Sequence, residues 1–160
     1  MTKGRKPIPS KLKVVAGTER PHRRNDFEPR PEISMPTCPD HLNDFAKEEW
    51  SRVCQEAFDT GILTKLDRAA LGAYCQAYGR MVQAENILLE MAKTDPLYLG
   101  LMVQTTNGNW VQNPVVGTAN KAMQDMVRYA VEFGFTPSAR SRVQAGEVKK
   151  ENPFAIIDAM

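Results

Sequence analysis

Leu66, Ala70, Ala73, Ala77, Met81, Ala84, Leu88 and Met91 follow one another at steps of three and four residues. Such steps put side chains on one face of an α-helix, so the stretch from Thr64 to about Lys93 reads as one rod of roughly 40 Å at 1.5 Å per residue. Nothing else in the chain restricts the fold as much. A stripe this long exceeds what one short helix covers, so a further helix or a neighbouring subunit has to pack on it. The seam is rich in alanine, which lets helices approach closely. Leu66, Ala70, Ala73, Ala77, Met81 and Leu88 are therefore the expected oligomerisation residues.

The flanking sequence supplies partners for the rod. Thr64 is placed as its N-cap, with Asp67 three residues on beside the positive helix end. Before it, Leu42, Phe45, Ala46, Trp50, Val53, Cys54, Ala57 and Phe58 form a second amphipathic pattern starting at Asp40, which Gly61 ends. After it, Asp95-Pro96 breaks the periodicity. "LMVQTTNGNWVQ", residues 101–112, then reads as a β-hairpin with a two-residue Asn107-Gly108 turn, in which Thr105 faces Trp110 and Val103 lies on the same side. The other reading of this stretch is an ordered loop, since strands so short need outside packing. Asn113 with Pro114 opens a third helix, whose buried stripe is expected to be Val116, Ala119, Met123, Met126, Val127, Ala130 and Phe133, closed by Gly134. Thr136-Pro137 looks like one more helix start. The expected fold is mainly α: a long antiparallel helical hairpin plus a third helix, with a small β-hairpin insertion. Residues 40–136 form this core, and residues 137–160 a tail with an apolar end at Phe154, Ile156, Ile157 and Met160.

Residues 1–39 differ in kind. Pro7, Pro9, Pro21, Pro29, Pro31, Pro36 and Pro39 interrupt any helix, so this part is expected to be a disordered basic arm. Lys3, Arg5, Lys6, Lys11, Lys13, Arg20, Arg23, Arg24 and Arg30 oppose only Glu19, Asp26 and Glu28, so residues 1–30 carry nine minus three, or +6, while the whole chain carries +2. Residues 31–136 hold eight cations against thirteen carboxylates, a net −5. Such asymmetry points to a polyanionic partner. A flexible Lys/Arg arm gains affinity by releasing counterions from phosphates, and Gly4-Arg5-Lys6-Pro7 suits a minor groove. The plain alternative is a solubilising tail. A helix-turn-helix made by the first two helices, with Gly61 in the turn, is a further option, although the long helix opens on a weakly basic face.

Other chemistries find little support. A chain of 160 residues with 42% hydrophobic composition suits one domain with tails. Cys38, Cys54 and Cys75 are odd in number and widely spaced, which fits a reducing interior rather than a disulfide scaffold. No stretch reaches the roughly 20 apolar residues of a membrane span, and no apolar run follows the basic start, so the expectation is a soluble intracellular protein without membrane contact. His22 stands alone in the arm, and Cys38 with His41 makes at most half a metal site. With no phosphate loop and no paired carboxylates, neither catalysis nor a cofactor is expected.

Three blocks, "GRKPIPSKLKVVAGTERPHRRNDFEPRP", "LTKLDRAALGAYCQAYGRMVQAE" and "NPVVGTANKAMQDMVRYAVEFGFTPSARSRV", resemble in order and spacing the small subunit of the terminase of tailed bacteriophages, in the family whose members open with Gly-Arg-Lys-Pro. The resemblance runs to Val143, and Ala139 stands where such proteins often show a second serine. It implies a ring-forming homo-oligomer, working in the host cytoplasm, that binds double-stranded viral DNA at the packaging start. The ring delivers that DNA to, and regulates, a large subunit carrying the ATPase and nuclease. On this reading Lys3, Arg5, Lys6, Lys11, Lys13, Arg20, Arg23 and Arg24 hold phosphates, with Arg140 and Arg142 as lesser candidates. Phe154, Ile156 and Ile157 are the expected contact with the large subunit, unless the tail folds back on its own ring. A dimeric DNA-binding transcription regulator and an oligomeric scaffold without a nucleic-acid role are the competing readings.

Overall fold

The structure is a computed structural model that describes residues 31–95 and 97–140. The arm cations from Lys3 to Arg30, and Arg142, Phe154, Ile156 and Ile157, lie outside the described residues. The elements are α1 (Asp44–Asp59), a 3-10 turn (Lys65–Asp67), α2 (Arg68–Thr94), β1 (Met102–Gln104), β2 (Trp110–Gln112), α3 (Pro114–Glu132) and the short α4 (Pro137–Arg140). The protein is mainly helical with one two-stranded antiparallel sheet.

Helix α1 starts at Asp44 rather than at Asp40. Asn43 is the residue able to cap it, its side-chain oxygen accepting from the Ala46 N–H at 2.9 Å. Asp40 and His41 form a turn ahead of it, and Leu42 is buried before the helix begins. Ala46, Trp50, Val53, Cys54 and Ala57 make the buried face. Phe45, expected on that face, is 37% exposed, because it lies about 100° around the helix from Ala46.

Helix α2 is the axis of the fold. Thr64, expected as its N-cap, instead caps the 3-10 turn that leads into it: both the backbone N–H and the hydroxyl of Thr64 donate to one Asp67 carboxylate oxygen, at 2.9 and 2.8 Å, and the α-helix proper begins at Arg68. Gly79 packs on Asn43 and Ala46, and Gly72 on Trp50, so α1 runs antiparallel to α2. Asn113, at the head of α3, meets Met91, while Phe135, just past its end, meets the Tyr74 ring at a centroid distance of 5.4 Å. Helix α3 is therefore antiparallel to α2 as well. With partners on two sides, α2 buries more than one narrow seam: Leu71 and Cys75, outside the expected stripe, are fully enclosed.

The chain from Glu32 to Pro39 lies against this body. Ile33 bridges Thr64, the Ser34 N–H donates to the Leu63 carbonyl at 3.1 Å, and Arg68 Nε donates to the Thr37 carbonyl at 2.8 Å. Pro36 and Pro39, which have no N–H to satisfy, are buried there.

The hairpin exists, with a different register from the expected one. Trp110 pairs with Gln104, and Val103 with Val111. Gly108 N–H donates to the Thr105 carbonyl at 2.9 Å, and Gly108 has a φ of 84°, while Asn107 is absent from the positive-φ residues. A two-residue turn with positive φ at both central positions is thus replaced by a three-residue loop in which glycine alone takes the left-handed conformation.

In α3, Ala119, Ala122 and Ala130 are buried, and Val127, expected on the buried stripe, is 50% exposed. The cap is as predicted, with the Asn113 side chain accepting from the Val115 N–H at 3.0 Å and Pro114 at the first turn. Helices α1 and α3 finish alike. After α3, Gly134 (φ 71°) donates to Val131 and Phe135 to Ala130; after α1, Gly61 donates to Phe58 and Ile62 to Ala57. Both are Schellman ends, which need the left-handed residue that glycine supplies. Thr136 precedes α4, but its hydroxyl finds no partner among the described residues, so the side-chain cap is not made.

Candidate interaction surfaces

The two Schellman ends lie on either side of a cleft of about 680 Å³. Val53 and Ala57 of α1, Ile62, Phe133 and Phe135 give it an apolar lining, and Arg52 and Arg140 bring cations to it. Phe135 stacks on Phe133 and meets Tyr74 edge on, both at 5.4 Å between centroids. These rings are placed by Gly134, whose backbone turns Phe135 back across the end of α3.

Arg52 and Tyr74, both at the cleft, converge on Glu49, a carboxylate only 4% exposed. Arg52 grips it with two nitrogens at 2.9 and 2.6 Å and also reaches Glu56 at 3.3 Å; the Tyr74 hydroxyl donates to Glu49 at 2.8 Å. A buried carboxylate needs this many donors to offset its lost hydration. The hydrogen bond to Glu49 holds the Arg52 guanidinium even more firmly protonated than usual. Burial first, and the Glu49 hydrogen bond second, push the Tyr74 phenol above its ordinary value. Both groups therefore keep their protons, and the arrangement clamps α1 to α2. Cys75 is likewise pushed up to about 12, by burial and then by the Glu49 charge, and is a poor nucleophile.

The opposite end of α2 is apolar and open. Leu89, Leu97, Leu99 and Leu101 are each at least half exposed, and Trp110 is 47% exposed although it packs tilted against Tyr98 at 4.4 Å between centroids. Leu99 holds a φ of 52°, unusual for a residue with a branched side chain.

Of the expected oligomerisation residues, Ala77 and Leu88 are buried within the protomer and Ala73 and Met81 are half-buried. Leu66, 77% exposed, and Ala70 face outward. Of the expected phosphate contacts only Arg140 is described; it is exposed, on α4. Residues 31–140 carry nine cations against thirteen carboxylates, a net −4. Among the described residues no three His, Cys, Asp or Glu side chains are placed to hold a metal, and no helix is long and apolar enough to cross a membrane. The exposed leucines and the Glu49 cluster were missed from sequence, although the Glu49, Arg52 and Glu56 spacing of three and four residues was a visible cue.

No curated protein and no solved structure matches the chain. A family model does: that of the phage terminase small subunit, over residues 46–150, from the first turn of α1 to beyond α4. That match spans most of the chain and includes both helices that pack on α2. The protein belongs to the phage terminase small-subunit family and has its role in phage packaging.

Proposed function

We propose that the chain is the DNA-engaging and regulatory subunit of a packaging motor, without a catalytic step of its own. Its many-copy ring presents basic arms to double-stranded viral DNA in the host cytoplasm and hands that DNA to the large subunit. The family match carries the reading. It is supported by the split between an arm of +6 over residues 1–30 and a described body of −4 over residues 31–140. A body of that sign is repelled by phosphate, so Lys3, Arg5, Lys6, Lys11, Lys13, Arg20, Arg23 and Arg24 make the contacts, with Arg140 and Arg142 adding to them. Ring copies multiply the arms, and avidity raises a modest affinity by orders of magnitude.

The assembly surface is best sought where apolar side chains remain uncovered. Leu97, Leu99 and Trp110 occupy one end of α2, while Leu66 and Val131 are exposed toward the other. Two unlike patches on one protomer suit a head-to-tail contact, which closes into a ring when its rotation allows. Phe154, Ile156 and Ile157 are the proposed contact with the large subunit.

Duplex binding measured against salt, with the intact chain and with a chain lacking residues 1–30, tests this. The intact chain is expected to show a steep log-log slope, about −0.9 per phosphate contacted, and the shortened chain a shallow one. Equal slopes would remove the arm from the mechanism. Native mass spectrometry separates the alternatives, since a dimer would favour a transcription regulator over a packaging ring.

A further inference from the structure

Apart from Arg140, the cleft between the ends of α1 and α3 has no part in the DNA reading. Its size and its mix of apolar lining with a few polar groups are those of a binding site. Phe135 holds two further aromatic rings there, Tyr74 edge on and Phe133 stacked. Its two arginines differ in state. Arg52 is already engaged by Glu49 and Glu56, whereas among the described residues no carboxylate pairs with Arg140.

The described chain ends at Arg140, beside the cleft. Thirteen residues, 141–153, then precede Phe154-Ala155-Ile156-Ile157, the densest apolar run in what remains, and Asp158 follows directly. We propose that this cleft is the resting site of the chain's own tail, with Phe154, Ile156 and Ile157 against the aromatic lining and the Asp158 carboxylate on Arg140.

Three considerations favour this occupant over a foreign one. Reach is ample, since thirteen extended residues span up to about 45 Å, more than the roughly 28 Å of the 19-residue α3. A tether this short supplies the tail at about millimolar effective concentration, so even a weak contact is filled before a free peptide competes. Charge fits as well: the carboxylate next to the apolar run meets an arginine that no carboxylate among the described residues engages. An exposed ion pair contributes little affinity, so the apolar side chains hold the tail and Asp158 sets its direction. A docked tail keeps Phe154, Ile156 and Ile157 sheltered until a competing surface draws them out, which makes access to the tail a point of regulation. The proposal does not depend on DNA binding.

The test compares hydrogen exchange in the intact chain, in a chain lacking residues 153–160, and in the intact chain carrying Ile156→Asp, a change outside the described body. Both alterations are expected to raise exchange at the amides of Thr60 to Ile62 and Gly134 to Arg140. A labelled peptide of residues 151–160 is expected to bind the shortened chain about tenfold or more tighter than the intact one, whose cleft is filled. Arg140→Glu in the shortened chain should weaken that binding. Unchanged exchange in both altered chains overturns the proposal, as does equal peptide binding to intact and shortened chains. Exposure of the same amides by removal of residues 1–30, and not of the tail, would assign the cleft to the arm and equally overturn it.

Discussion

The Tyr74 hydroxyl donates to the Glu49 carboxylate at 2.8 Å, across 25 residues of sequence, and joins α2 to α1 inside the core. Tyr74→Phe keeps the ring and its edge contact with Phe135 but leaves Glu49 to Arg52 alone. A hydrogen bond to a buried charge is worth about 1.5–3 kcal/mol, so the variant is expected to unfold at lower denaturant by that amount. Chemical denaturation with an unchanged m-value is the check; a loss below about 0.5 kcal/mol would show that the phenol is dispensable.

Two helical glycines should respond oppositely to alanine. A Cβ on Gly79 would overlap the Asn43 side chain that caps α1 and would stand 2.9 Å from the Ala46 Cβ. Gly79→Ala is expected to cost about 1–3 kcal/mol, despite alanine's better helix propensity. A Cβ on Gly117 meets nothing within 4 Å. Gly117→Ala should add about 0.5–1 kcal/mol to the stability of the protomer, and thermal melting of the pair reads both signs.

The core thiols set an alkaline limit. Cys75 is raised from 9.0 to about 12, so below pH 9 both folded and unfolded chains keep its proton and its contribution to stability is complete. As pH rises above 9 the unfolded chain releases the proton and the folded chain holds it. Stability then falls by about 1.4 kcal/mol per pH unit from this group, up to the folded value. Tyr74, raised for similar reasons, adds to the fall above pH 10. Cys75→Ala should flatten the decline between pH 9 and 10 in denaturation experiments. In native chain at pH 8, Cys38 is expected to react with an alkylating reagent before the buried Cys54 and Cys75 do.

Leu99 combines 56% exposure with a left-handed backbone. Strain of this kind persists only where the surrounding structure holds it, and it clusters at functional sites. Leu99→Gly relieves the conformation but adds unfolded-state entropy, so protomer stability should stay within about 1 kcal/mol of the native chain. Assembly should weaken all the same, and Trp110→Ala should weaken it further. Native mass spectrometry at matched concentrations checks both; undiminished assembly of the two variants would place the contact elsewhere.

Local chemistry made much of the fold legible in the sequence. Thr64 with Asp67, Asn113 with Pro114, and the glycines at 61 and 134 each act over a few residues, and each marks a boundary the structure has. What escaped depends on distant parts. The exposure of Val127 and the meeting of Tyr74 with Glu49 follow from how α1 and α3 lie on α2, which periodicity does not encode. The α2 stripe marks only part of the buried arc: two flanking helices bury more than a heptad seam, so Leu71 and Cys75 join the core while Leu66 is exposed. For the surfaces, composition revealed the charge split but not the cleft, whose walls come from three separate elements.

Ile33 joins the body beside Thr64, and Arg140 departs beside Ile62 and Thr60, so the polypeptide comes in and goes out at one pole of α2 while the β-hairpin crowns the other. Copies set side by side in a common orientation would form an object with unlike rims, every leader and every trailing segment springing from the same edge. Among the described residues the opposite rim would carry the hairpins and the exposed leucines, and cargo would meet such an assembly differently from its two sides.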